Sequence, residues 1–351
     1  MKEVSIAGRK IGAKYPPYII AELSANHNGD IGRALRILEE AKRAGADAVK
    51  LQTYRADTLT LDCDRPEFRV QGGLWSGQTL YELYESAHMP WEWHEVLFKR
   101  ARELDITMFS SPFDRTAVDY LENLGAPAYK IASFEAIDLP LIRYVAHTGK
   151  PMIISTGMAD KNEICEAITT ARDAGCHDLI VLHCVSGYPA PPQDYNLATM
   201  VDMADRFGVL VGLSDHTIDN TVAVSSVALG ACVIEKHVTL DRSGGGPDDS
   251  FSIEPAELQA LCSGAGAAWS ALGRVNYARK ESEKDNLIFR RSLYIVRDIK
   301  AGEVFTEENV RSIRPGYGLA PKHLEEVLGK PAKDAVSRGT ALKWDLVELG
   351  S

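Results

Sequence analysis

The stretch VIEKHVTL, residues 233–240, sets Glu235, Lys236 and His237 between Val233, Ile234, Val238 and Leu240. The apolar residues read as a buried strand, yet burying an ionisable group without a partner is costly. A strand whose end carries such groups fits an α/β barrel, in which the chemistry lies at the C-terminal ends of parallel strands. Seven further short apolar runs precede it, at 18–26, 47–54, 107–113, 128–133, 152–157, 179–185 and 209–216, and the last run spans 232–239. Amphipathic stretches such as IGRALRILEEAKRAGA and AVDYLENLGA lie between them, with apolar residues at helical spacing and a closing glycine. Eight strand and helix repeats predict an α/β protein built as a (β/α)8 TIM barrel over residues 1–272. A doubly wound sheet would need a glycine fingerprint after its first strand, and none is there.

The beat is broken once. Residues 55–106 carry GLWSGQTLYELYESAHMPWEWHEVLF, read as two extra helical patterns rich in aromatics, and so long a connection is usually functional. Beyond Leu272 the text turns polar, which predicts a linker over 273–290, and a small C-terminal unit of short strands and turns follows over 291–351.

Composition narrows the function. With 351 residues and 45% hydrophobic content the chain can bury a large core, and its formal net charge of -10 argues against nucleic-acid or anionic-membrane partners. Its six cysteines form no CxxC pair, and Cys184 and Cys232 read as small core residues. That usage, with no apolar signal core and no membrane-length run, predicts a cytoplasmic protein.

Polar residues crowd the strand ends: Glu22, Asn26 and His27; Lys50 and Gln52; Ser110 and Ser111; Lys130 and Ser133; Ser155 and Thr156; His183, Ser186 and Tyr188; Ser214, Asp215 and His216; Glu235 and His237. His216 and His237 end neighbouring strands about 4.8 Å apart, so both imidazoles can meet one ion. Two His among carboxylates suit a borderline divalent metal, Mn²⁺ first, with Zn²⁺ or Fe²⁺ as alternatives. Asp248, in the GGGPDDS loop, and Glu22 are the nearest candidate oxygen ligands or bases. Lys50 and Lys130, with Ser111, Ser133 and Ser155, form a candidate cradle for a phosphate or carboxylate. Glu235 and Lys236 are read as a pair supporting His237, although strand alternation sends Lys236 to the other face.

IAELSANHNGD, GADAVKLQTY, FSSPFD, YKIASFE, KPMIISTGMA, LHCVSGYP, GLSDHT and EKHVTLDRSGGGPDDSFS, in this order, resemble the sialic acid synthase family, whose members condense phosphoenolpyruvate with an amino sugar. The final unit is similar to that family's antifreeze-like (SAF) domain. The resemblance implies that His216 and His237 hold the metal (Mn²⁺, with Mg²⁺ or Co²⁺ as substitutes). It implies that Lys50, Lys130, Ser111, Ser133, Ser155 and Ser214 bind phosphoenolpyruvate, with Ser186 and Tyr188 beside them; some relatives carry Asn where this chain has Ser186. Asp248 and Glu22 would handle water and protons, and Gln52 would orient the sugar. Arg314, in IRPGYG, would reach the site of a partner subunit in a homodimer. The aromatic insertion, the phrase YKIASFE and the triple glycine imply a 2,4-diacetamido-2,4,6-trideoxy hexose, with N-acetylmannosamine or another acetamido sugar as the alternative. Trp75, Trp91 and Trp93 are candidate apolar surface for it. Rival classes are a lysine-dependent aldolase using Lys130 or Lys50, and a non-catalytic sugar-binding protein.

Overall fold

The computed structural model describes residues 2–72 and 75–349, so Gly73 and Leu74 of the predicted insertion lie outside the described residues. A first unit runs up to Gly273 and a second starts at Arg274. In the first unit a hairpin of β1 (Val4–Ile6) and β2 (Arg9–Ile11) precedes eight strands: β3 (Tyr18–Glu22), β4 (Ala48–Thr53), β5 (Thr107–Pro112), β6 (Tyr129–Ile131), β7 (Met152–Ser155), β8 (Leu179–Cys184), β9 (Leu210–Asp215) and β10 (Val233–His237). These close into one parallel barrel, with β10 pairing back onto β3. The expected barrel is present, and each of the eight runs contributes its strand.

Two cores follow from alternation along the strands. Outward residues such as Val49, Ile131, Val181 and Ile234 pack with helix residues such as Ile37, Leu38 and Leu121. Inward residues near the strand starts, among them Tyr18, Phe109, Ile153 and Ile180, form a separate cluster with Val4, Ile6 and Ile11 of the hairpin, which closes the lower end of the barrel. The helices start and stop where local chemistry dictates. For Ile31–Ala44, the Asp30 side chain accepts from the Gly32 N–H and Gly45 ends the helix at φ 92°.

The insertion differs from its sequence reading. The helix Trp91–Glu103 is an ordinary barrel helix, since Leu97, Phe98 and Ala101 sit in the same core as Ile37. Among the described residues the added material is therefore the turn Ala56–Leu59, a second short turn at Pro66–Phe68 and one amphipathic helix, Leu80–Ala87. In the second unit β11 (Ser292–Ile295) and β12 (Val310–Ile313) pair antiparallel over a small core of Leu293, Phe305, Val327 and Leu342. Among the described residues no helix is long and apolar enough to cross a membrane.

Candidate active site

Parallel register brings the polar strand ends into one layer at the top of the barrel. His237 lies opposite Glu22, Glu22 opposite Lys50, Gln52 opposite Ser111 and Ser214 opposite Glu235. Four buried charges meet there. Lys50 Nζ lies 3.1 Å from Glu22 Oε2 and 3.0 Å from Glu235 Oε1, and Lys130 Nζ lies 3.7 Å from Glu235 Oε1. Ser214 and Ser111 flank them: the Ser214 hydroxyl donates to Glu235 at 3.4 Å, and Lys50 donates to Ser111 at 3.5 Å. Buried charges of this kind persist only when paired. Burial opposes ionisation of Glu235, but the two lysines outweigh it and hold its carboxyl below the usual range. Burial raises the Glu22 carboxyl and lowers the Lys130 ammonium, which leaves both closer to giving or taking a proton near neutrality.

Lys236 is not part of this layer. Its ammonium lies 2.7 Å from Asp215 Oδ2 and 2.6 Å from the Thr217 carbonyl, on the outer face of the barrel wall. The expected support of His237 by a Glu235–Lys236 pair is thus corrected: neighbours on a strand face opposite ways, and Glu235 serves the lysines inside. Glu235, already among the polar strand ends of the sequence, stands two positions before His237 and so faces inward with it.

A hydroxyl pocket lies over β6, β7 and β8. Gly157 N–H donates to Ser133 Oγ at 3.1 Å, and the hydroxyls of Ser155 and Ser186 are buried without a hydrogen-bond partner. A Cβ on Gly157 would stand 2.1 Å from Ser186 Oγ and 2.8 Å from Ser133 Oγ, so the space between these hydroxyls exists because residue 157 is glycine. Buried unpaired hydroxyls, with Lys130 on the neighbouring strand β6, are donors of the kind an anion requires.

On the opposite side His216 and His237 approach with ring centroids 5.4 Å apart, and Tyr188 covers His216 at 4.3 Å. His237 Nδ1 is buried without a hydrogen-bond partner, 4.0 Å from Asp248 Oδ2. Burial holds this imidazole well below its ordinary pKa, in the neutral form that ligates a metal. Among the described residues no group of three His, Cys, Asp or Glu side chains is gathered for a metal. The orphaned imidazole nitrogen and its His216 neighbour nonetheless fit a divalent ion. Asp248 is held by the Ser24 hydroxyl, and Gln52 Nε2 donates at 2.9 Å to both Ser24 and Glu22. Ser24 was missed in the sequence, where it reads as one more small residue before a helix. The loop carrying Asp248 is pinned by its neighbour Asp249, which accepts from Arg33 at 3.1 Å and Asn28 at 2.8 Å.

A cavity of about 420 Å³ opens from Gln52, Ser186, His237 and Asp248. Its walls are largely apolar, with Tyr54, Leu80, Leu83, Tyr84 and Phe113 among them. Trp75 lines it and donates to the Pro247 carbonyl at 3.2 Å. Trp91 and Trp93 do not: Trp91 stacks on Tyr120, and Trp93 packs edge-on to His27. Glu135, also missed, lines the cavity with Oε2 buried and unpartnered, and burial pushes its carboxyl up to about 7. Its signal in the sequence is position alone, two residues beyond Ser133 at the end of β6. Arg314 belongs to the second unit, exposed after β12.

Fold and site together define a barrel enzyme in which a lysine-bearing, hydroxyl-lined cradle and an apolar-walled cavity meet beside a histidine pair. Sequence comparison gives the particular family. The NeuB family model matches residues 37–277 and a SAF domain model matches 290–348, and the chain belongs to the NeuB family. It is 46% identical over 326 residues to the pseudaminic acid synthase of Campylobacter jejuni subsp. jejuni serotype O:23/36, covering 93% of this chain and 95% of that protein. It is 43% identical over 337 residues to the pseudaminic acid synthase of Helicobacter pylori, covering 95% and 98%. Among solved structures, the N-acetylneuraminic acid (sialic acid) synthetase of Leptospira borgpetersenii in complex with citrate matches with a TM-score of 0.72 at 31% identity, covering 81% of this chain and 95% of that one.

Proposed function

We propose that the chain is a pseudaminic acid synthase, condensing phosphoenolpyruvate with 2,4-diacetamido-2,4,6-trideoxy-L-altrose and water to give pseudaminic acid and phosphate. The observation that carries this reading is the junction at His237 and Asp248, where an anion cradle faces a cavity with mostly apolar walls. Phosphoenolpyruvate is a small double anion, and the sugar is an uncharged hexose with a methyl in place of the hydroxymethyl group.

Lys130, Ser133, Ser155 and Ser186 would hold the phosphate and carboxylate, with Lys50, Ser111 and Ser214 completing the ring and Tyr188 closing its edge. Gln52 would orient the open-chain sugar. A divalent metal held by His216 and His237, Mn²⁺ with Mg²⁺ or Co²⁺ as substitutes, would polarise the sugar aldehyde as a Lewis acid. The methylene carbon of phosphoenolpyruvate forms the new C–C bond to the aldehyde carbon, water adds at C2, and phosphate leaves by C–O cleavage. Asp248, Glu22 and Glu135 would move the protons, and a positioned general base contributes about 10²–10⁴-fold. No step of this condensation requires an imine on either lysine. The chain would act as a homodimer in the reducing cytoplasm, which suits its six free cysteines.

The test is phosphate release from phosphoenolpyruvate with Mn²⁺ and a panel of acetamido hexoses, followed by mass analysis of the product. Release with the trideoxy sugar and a nine-carbon acid of the expected mass supports the reading. Preference for N-acetylmannosamine would move the assignment to a sialic acid synthase.

A further inference from the structure

The helix Leu80–Ala87 is amphipathic in an unusual place. Its start is fixed by a capping box, with Thr79 and Glu82 bonding each other's backbone N–H groups. Its outer face carries Glu82, Glu85 and Ser86, all exposed. Its other face carries Leu80, Leu83, Tyr84 and Ala87, spaced as successive turns of one helical stripe. Such a stripe ordinarily disappears into a core, yet no residue of this helix is fully buried. All four line the cavity that opens on Gln52, His237 and Asp248. The added helix therefore turns an apolar wall toward this cavity, with Tyr54 meeting Tyr84 edge-on at 5.9 Å and the rest of the stripe only half-buried, beside the groups that do the chemistry.

We propose that Leu80, Leu83, Tyr84 and Ala87 form the surface that selects the sugar, taking the methyl of a 6-deoxy hexose and the methyl of an acetamido group and disfavouring a hydroxymethyl group. This rests on the function proposed above and names the element that sets its substrate. Continuity with the catalytic junction makes the occupant a substrate of this site, and the absence of any charged side chain on the stripe makes its contacting part apolar. Leu59 and Val70, from the same insertion, extend the wall.

The experiment compares kcat/KM for 2,4-diacetamido-2,4,6-trideoxy-L-altrose and for N-acetylmannosamine in full-length wild type, Leu83→Gln, Leu80→Gln and Leu83→Met. Gln has a helix propensity near that of Leu, so the helix itself is preserved. The preference for the trideoxy sugar should fall about tenfold or more in each Gln variant and hold in Leu83→Met, the scale expected when an apolar pocket loses one contact. The KM for phosphoenolpyruvate should not move, and Tm should stay within about 2 °C, because the stripe is outside the core. If wild type prefers the trideoxy sugar and both Gln variants keep that preference, the wall does not select and the inference is overturned while the function stands. Equal losses on both sugars with a lowered Tm would make the stripe scaffold and overturn it as well. Wild type that prefers N-acetylmannosamine would sink the function and this inference together.

Discussion

Glu235 Oε1 lies 3.0 Å from Lys50 Nζ inside the barrel, while the next residue, Lys236, reaches Asp215 on the outside at 2.7 Å. Two buried ion pairs from adjacent residues thus serve different ends. Removing one partner of a buried pair costs about 3–5 kcal/mol. Asp215→Asn should therefore lower stability to urea while the protein that stays folded keeps its KM for phosphoenolpyruvate. Glu235→Gln should lower stability and also raise that KM, because Lys50 and Lys130 lose the carboxylate that positions them. Equal kinetic effects in the two variants would contradict this division.

The cradle predicts a selective loss. Lys130→Met and Gly157→Ala should each raise the KM for phosphoenolpyruvate at least tenfold more than that for the sugar, since the phosphate and carboxylate belong to one substrate only. In Gly157→Ala the cause is steric, a methyl placed 2.1 Å from Ser186 Oγ. The measurement is steady-state kinetics with each substrate varied in turn. Parallel rises in both constants would mean that the pocket holds something other than phosphoenolpyruvate.

Metal binding is checked by titration. Chelation should abolish activity, Mn²⁺ should restore it, and His237→Ala should bind Mn²⁺ at least tenfold more weakly in calorimetry, in line with loss of one of two imidazole ligands. Unchanged affinity would remove His237 from the metal site.

Glu135 should govern a pH limb. Burial raises its carboxyl from 4.5 to about 7. If it acts as the base, activity rises as pH passes about 7, and that limb vanishes in Glu135→Gln. Stability runs the other way. Between pH 4.5 and about 7 the folded chain keeps a proton that the unfolded chain has lost, so this contribution is present below pH 4.5 and is lost as pH rises through about 7. Its full size is on the order of 3 kcal/mol. Glu135→Gln should match wild type in urea unfolding at pH 4 and exceed it at pH 8.

The strands were legible because an apolar run with a polar end, repeated eight times, has few other solutions. The inner layer was legible for the same reason, and Glu22, Lys50, Lys130, Ser214 and His237 all stand where alternation puts them. What sequence could not display was proximity across the mouth. Nothing near Gly157 in the chain announces Ser186, and Glu135 looks like any loop carboxylate until the turn after β6 folds over the cavity. The hairpin β1–β2 escaped because three-residue strands carry no period, and Val4, Ile6 and Ile11 gain meaning only against Tyr18 and Phe109. Trp91–Glu103 reads as part of the insertion because of its aromatics, whereas Leu97 and Ala101, buried in the common core, mark it as a barrel helix.

Arg314 supplies a test of assembly. It is exposed on the second unit, beyond β12, and the family resemblance implies that it completes the sugar site of a partner subunit. Each site of a homodimer would then take its barrel from one chain and Arg314 from the other. His237→Ala and Arg314→Ala should each be nearly inactive alone, for different reasons. In a mixed dimer the chain with an intact barrel receives Arg314 from the chain whose histidine pair is broken, so one of the two sites is whole. Random mixing makes about half of the dimers mixed, and activity should recover to roughly a quarter of wild type. Tagging the two variants differently and purifying through both tags isolates the mixed species, in which activity should approach half. Doubly purified dimers as inactive as their parents would show that Arg314 works within its own chain or outside the reaction altogether.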